Sequence, residues 1–123
     1  MGKCTIIGKI RVPASLGQAV RINGKKCDEQ TVWNVSAFGG ESAITDFTLE
    51  NRANVEFDIE FDFSSVTDGE YTIGVFEDDG TTPVSSPETV SGQTTKNWKL
   101  KIDFDKRITE EEYEIYVEFD FTD

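Results

Sequence analysis

Four carboxylates, Glu56, Asp58, Glu60 and Asp62, fall at every second position of Val55–Phe63 and alternate with five large apolar residues. Successive side chains of a β-strand point to opposite faces, so this spacing predicts a strand with one apolar side and one row of carboxylates. β-branched and aromatic residues at the apolar positions favour the same assignment. Along such a row the charges stand about 7 Å apart, where like charges repel by only about 0.6 kcal/mol in water. The chemistry on offer is attraction of cations, either a basic protein partner or calcium. The plainer alternative is a solvated face, since charged residues seldom lie elsewhere.

A second group of acids, Glu77, Asp78 and Asp79, runs into Gly80. Carboxylates clustered in a loop ligate calcium through oxygen, but this run lacks the alternating ligands and closing glutamate of an EF-hand loop. An ordinary turn accounts for it equally simply. Acids are so numerous that any two could be named as a glycosidase pair, which makes pairing alone uninformative. The chain has no histidine and only two cysteines, which removes the commonest general base and leaves no ligand set for structural zinc. Neither a Gly-x-Ser-x-Gly elbow nor a phosphate-cradling glycine loop occurs. No catalytic residue, metal centre or cofactor is therefore expected, and the chain reads as non-enzymatic. Cys4 and Cys27 enclose a short loop. They form either a disulfide, contributing about 3 kcal/mol by loop-closure entropy, or two buried thiols.

Charge narrows the partners. The 24 acidic residues outnumber 12 basic ones, for a net charge of -12. Nucleic acid is disfavoured because phosphate neutralisation needs clustered Lys and Arg, and anionic membrane surfaces are disfavoured for the same reason. No apolar run approaches the roughly 20 residues of a membrane-spanning helix. Met1-Gly2-Lys3 reads as a start placed before a mature sequence, with no signal peptide.

The elements that would position these groups are all strands. Thr5 to Val12 turns Ile6, Gly8, Ile10 and Val12 to one side and is stopped by Pro13; Gly17 permits the reversal. Asn23-Gly24 between extended pieces signals a type I′ hairpin. Strands follow at Thr31 to Phe38, with Trp33 and Val35 inward, and at Ile44 to Asn51, with Phe47 and Leu49 inward. After the acidic strand come a loop at 64–69, a strand at Tyr71 to Val75 and a long polar stretch from Glu77 to Thr95. Two further strands turn inward Trp98, Leu100, Ile102 and Phe104, then Tyr113, Ile115, Val117, Phe119 and Phe121. Thr109 to Glu112 offers at most one helical turn. About seven to nine strands without an amphipathic helix predict an antiparallel β-sandwich of immunoglobulin-like or jelly-roll-like type, one domain over residues 1–123. Phe57, Ile59, Phe61, Trp98, Leu100, Ile102, Ile115, Val117 and Phe119 are expected to share one core. The acidic strand lies either beside the Lys99/Lys101 strand, where charges compensate, or beside the last strand, where Glu114, Glu118 and Asp120 join it; an immunoglobulin-like order favours the second.

A cadence of short motifs runs from Gly39-Gly40-Glu41-Ser42 and Phe47-Thr48-Leu49-Glu50-Asn51 through Val55–Phe63, Val90-Ser91-Gly92-Gln93 and Trp98–Phe104 to Glu112-Tyr113-Glu114-Ile115. Over roughly Gly39 to Phe121 the chain resembles secreted prokaryotic immunoglobulin-like modules, most of all camelysin/TasA-type surface fibre subunits. The resemblance implies an extracellular or cell-surface structural protein whose partner is protein, including further copies of itself, and which polymerises by donating a terminal strand. The matching strand is Cys4 to Val12: Ile6, Ile10 and Val12 would fill alternate pockets, and Gly8 would let two backbones approach. A Cys4–Cys27 bridge would tie that strand to its own subunit. The alternative reading is a calcium- or carbohydrate-binding accessory module of a larger secreted protein.

Overall fold

Alternation of apolar and polar residues decides which side of each strand is buried, and two such sheets facing one another bury both apolar sides. The computed structural model describes residues 2–16, 19–26, 30–63, 70–108 and 111–122. Gly17, Cys27, the loop at 64–69 and two residues of the expected helical turn, Thr109 and Glu110, lie outside them. The described residues form ten strands and no helix: β1 (Gly2–Arg11), β2 (Val20–Ile22), β3 (Lys25–Lys26), β4 (Gln30–Ala37), β5 (Ser42–Asn51), β6 (Phe57–Asp62), β7 (Tyr71–Phe76), β8 (Glu88–Val90), β9 (Thr94–Phe104) and β10 (Glu112–Thr122). One five-stranded sheet has the order β4-β1-β10-β6-β8, the other β3-β2-β5-β9-β7. Pairing is antiparallel except between β1 and β10, which run parallel.

The ten strands exceed the expected seven to nine by one. β8 falls within the polar stretch expected to be a loop, and pairs Val90 with Phe57. It is anchored by one isolated apolar residue, the buried Val90. β3 is the short return arm of the Asn-Gly hairpin, whose turn residues have φ of 52° at Asn23 and 78° at Gly24. Both values are positive, as a type I′ turn requires.

The core closes around aromatic rings from both sheets. Phe47 of β5 stacks on Trp33 of β4 at 5.4 Å and meets the edge of Phe119 of β10 at 5.2 Å. The Trp33 indole N–H donates to the Asp46 carbonyl at 3.1 Å, tying β4 to the opposite sheet. Gly8 belongs to this cluster. A Cβ there would lie 2.5 Å from Phe119 Cε2 and 3.1 Å from Trp33 Cζ3. Its missing side chain makes room for rings, and not for the close approach of a second backbone expected from the sequence. Eight of the nine expected core residues are buried, whereas Phe61 is only partly so. Its ring still meets Trp98 at 5.7 Å and Phe119 at 5.9 Å. Beside it the β8 ladder has ended, and the Phe61 N–H donates to the Ser86 hydroxyl at 3.0 Å. Val55, expected to point inward, is exposed because β6 begins only at Phe57.

Asn51 is the one buried polar side chain among the described residues. Its amide nitrogen donates to the carbonyls of Val55, Val90 and Ser91 at 2.9–3.2 Å, and its oxygen accepts from the Ala53 N–H at 2.9 Å. One side chain thus fastens the end of β5, the following turn and the end of β8.

Two stability outcomes follow from this packing. Gly8→Ala should cost about 1–3 kcal/mol by overpacking, and Phe119→Ala about 3–5 kcal/mol, with Phe61→Ala costing less than Phe119→Ala because its ring is already partly in water. Chemical denaturation checks all three; a neutral Gly8→Ala would contradict the ring packing. Asn51→Asp should be destabilising and increasingly so as pH rises. A carboxyl held against three carbonyls has its folded pKa raised, so the folded state binds the extra proton and stability relative to the parent falls from about pH 4 upward. Denaturation midpoints of both proteins between about pH 4 and 7 test this.

Candidate interaction face

The outer face of the first sheet carries the acidic row singled out in the sequence. β10 lies between β1 and β6. The acidic strand is therefore beside the last strand, as an immunoglobulin-like order favours, and away from Lys99 and Lys101. Asp62 stands opposite Glu118 and Glu60 opposite Asp120. Such pairs lie about 5 Å apart at Cβ. Asp58 is relieved by two threonines: it faces Thr122 on β10 and accepts from the Thr89 hydroxyl at 2.7 Å. Glu56 is exposed just ahead of the strand.

Partial compensation comes from β1. Its outward residues Lys3, Lys9 and Arg11 stand opposite Glu112, Glu118 and Asp120. Arg11 reaches both Glu118 and Asp120 at 3.8 Å, an exposed arrangement of the kind that contributes under about 1 kcal/mol. Charge thus changes across the face, from acidic on β6 and β10, through basic on β1, to none on β4.

Two cross-strand rows near one end, Ser36–Lys3–Glu112 and Asn34–Thr5–Glu114, line a groove of about 550 Å³. The Thr5 hydroxyl donates to Asn34 Oδ1 at 3.2 Å, and the Tyr116 hydroxyl donates to Glu114. That bond favours the protonated phenol and raises the Tyr116 pKa. The lining combines the ammonium of Lys3 and the carboxylates of Glu112 and Glu114 with the hydroxyl and amide groups of Thr5, Ser36 and Asn34. The next row, Val32–Ile7–Tyr116, is apolar, and both Val32 and Tyr116 are about half exposed.

Groove and apolar row were both invisible in the sequence, because each joins strands far apart in the chain. Alternation within β1, β4 and β10 marks which residues face outward, and the strand order alone places them side by side.

The outer face of the second sheet is balanced instead. Lys99 pairs with Asp46 at 2.6 Å and Asp78 at 3.6 Å, and Asp46 is the main cause of its raised pKa. Lys101 lies over the Phe76 ring, 5.2 Å from its centroid. The Glu77–Gly80 run is a turn closed on itself. Asp79 accepts from the N–H groups of Thr81 and Thr82 at 2.9 Å and from the Thr82 hydroxyl at 2.6 Å. These bonds, those of Thr82 foremost, hold its carboxyl down from 3.8 to about 2. Glu77, Asp78 and Asp79 do not converge on a common point, and no group of three or more potential ligands is placed to hold a metal among the described residues.

In the proposed donor strand, Cys4, Ile6 and Ile10 are buried and Val12 packs against the core from beyond its end. β1 is a central strand, paired with β4 on one side and β10 on the other. Cys4 is a free, buried thiol, and Cys27, the other half of the expected bridge, lies outside the described residues. Burial pushes the Cys4 thiol up to about 12, which leaves almost no thiolate at neutral pH. In a Cys27→Ser variant under native conditions Cys4 should resist a thiol reagent and react on unfolding; rapid labelling of the folded protein would contradict its burial.

Searches against protein-family models and curated proteins find no match to this chain.

Proposed function

We propose that this chain is a non-enzymatic structural or adhesive surface protein, an immunoglobulin-like sandwich that assembles with further copies through β-strand contacts. One observation carries the reading: the N-terminal strand fills a slot between β4 and β10, parallel to the last strand. Removing β1 would leave β4 without a sheet neighbour and expose the ladder edge of β10. The same strand from another copy would satisfy both, which is the economy of strand exchange. Ile6 and Ile10, alternating with Gly8, are the side chains such a strand would seat. In the single chain the slot is filled by its own strand, so exchange requires β1 to leave and the turn at Pro13–Leu16 to open; Leu16 N–H donates there to the Pro13 carbonyl at 2.9 Å.

A second reading rests on the groove at Lys3, Asn34 and Glu114, whose polar groups can hydrogen-bond the hydroxyls of a carbohydrate; that would make the chain a ligand-binding module of a larger secreted protein. The acidic field on β6 and β10 would in either case attract cations diffusely, an attraction that salt screens.

Deletion through Val12 separates the readings. If the strand is exchanged, the full chain should form higher assemblies visible by electron microscopy. The truncated chain should then be monomeric and regain thermal stability when a peptide of residues 2–12 is added. A truncated chain that still assembles like the parent would overturn the proposal. A strictly monomeric parent that binds oligosaccharides on calorimetric titration would replace it with the second reading.

A further inference from the structure

β4 is the one long sheet edge left open among the described residues. It pairs with β1 and has no strand on its other side. The remaining edges are short or covered. β3 has two residues and β8 three, immediately after Pro87. β7 is half covered by the loop that follows it, with a bridge from Phe76 to Pro83 and a hydrogen bond from Val84 N–H to the Val75 carbonyl at 3.0 Å. Proteins normally blunt a long edge with charge, proline or a bulge. The eight residues of β4, Gln-Thr-Val-Trp-Asn-Val-Ser-Ala, contain no charge and no proline, in a chain that is 29% charged. Apolar surface also gathers there. Of five exposed large apolar residues, Val32 lies on β4, Phe38 follows it directly, and Tyr116 continues the Val32 row through Ile7.

We infer that β4 is a self-association edge, pairing antiparallel with β4 of a second copy about a two-fold axis. The inference deepens the assembly reading above by naming the partner of one edge, and it rests on that reading. Charge selects the occupant. Two chains of net charge -12 repel, so they can meet only where each is locally neutral, and β4 presented to itself sets no charges opposite one another. Its neighbour β1 carries Lys3, Lys9 and Arg11 outward, and the carboxylates of β10 lie one strand further off. Across a β4–β4 junction the two β10 strands stand five strand spacings apart, about 24 Å. That exceeds the Debye length of about 8 Å at physiological ionic strength. The acidic fields of the two copies are then nearly independent. Faces must match across the pair, so the axis passes through a residue and not between two, and the outward Val32, Asn34 and Ser36 form the joined surface.

The test uses the full chain, kept reduced, in sedimentation velocity and amide hydrogen exchange. The expected result is a monomer–dimer equilibrium that tightens severalfold as sodium chloride rises from about 0.01 M to about 0.15 M, because salt screens the mutual repulsion. Amides of β4 should gain protection as protein concentration rises. The double variant Val32→Lys/Asn34→Lys places lysine opposite lysine whether the axis passes through residue 32, 33 or 34. Both side chains are exposed and the one hydrogen bond lost, from Thr5 to Asn34, is itself exposed, so circular dichroism should match the parent while dimerisation is lost. The variant also lowers the net negative charge, so the loss cannot come from stronger overall repulsion. A parent that stays monomeric at every salt concentration, a double variant that dimerises like the parent, or protection gained outside β4 would each overturn the inference. Filaments that persist in the double variant would sink the β4 edge and leave the assembly reading standing, whereas loss of filaments on deleting β1 tests the reading itself.

Discussion

The parallel ladder between β1 and β10 is the constraint on which the rest of the molecule depends. It joins the two ends of the chain, with Cys4 opposite Tyr113 and Ile10 opposite Phe119, so everything between them serves as the crossover that a parallel pair requires. Closing a loop of roughly a hundred residues costs about 4 kcal/mol in chain entropy before any contact rewards it. The same strand, β1, also holds the sheet edge, because among the described residues β4 has no sheet partner except β1. The first sheet therefore hangs on one strand: remove β1 and β4 loses its ladder, while β10 keeps only its pairing with β6.

Packing across the interior reinforces the same strand. Phe119 sits over Gly8, where any side chain would collide with it, and reaches Phe47 on the opposite sheet. The glycine that looks weakest in β1 is thus the seat of the ring that links the sheets. Asn51 does comparable work at the far end, where β8 is too short to hold itself by ladder bonds alone. A buried amide satisfied on all sides adds direction to a core that is otherwise apolar, since misplacing it would leave several carbonyls without partners.

The two outer faces divide the charge unequally, and strand order is the cause. Lysines at 99 and 101 lie on β9, beside Asp46 of β5 and below Phe76 of β7, so that sheet is neutralised locally. The first sheet places β6 against β10, carboxylate opposite carboxylate, with cations one strand away on β1. The result is a polarised surface: negative at one side of the sheet, uncharged at the other. A chain with the same composition and another strand order would have neither the acidic field nor the neutral edge.

What the sequence determined by itself was the face of each residue. Phe47 and Leu49, Trp98 to Phe104 and Tyr113 to Phe121 are buried as the alternation predicts, because a period of two is a local property of extended backbone that any partner strand must respect. The Asn23-Gly24 turn was legible for the same reason, being set by the φ values its own residues tolerate. Adjacency was not legible. Which strand lies beside the acidic one, whether β1 is central or at an edge, and that three residues of a polar stretch pair with Phe57, Asp58 and Ile59 all depend on contacts between segments tens of residues apart. Local pattern is silent about them. Phe61 shows the boundary clearly: its alternation marks it as inward, but its burial is decided by where β8 ends. The groove, the apolar row and the open edge of β4 belong to the same class, for each exists only once the strands have been ordered.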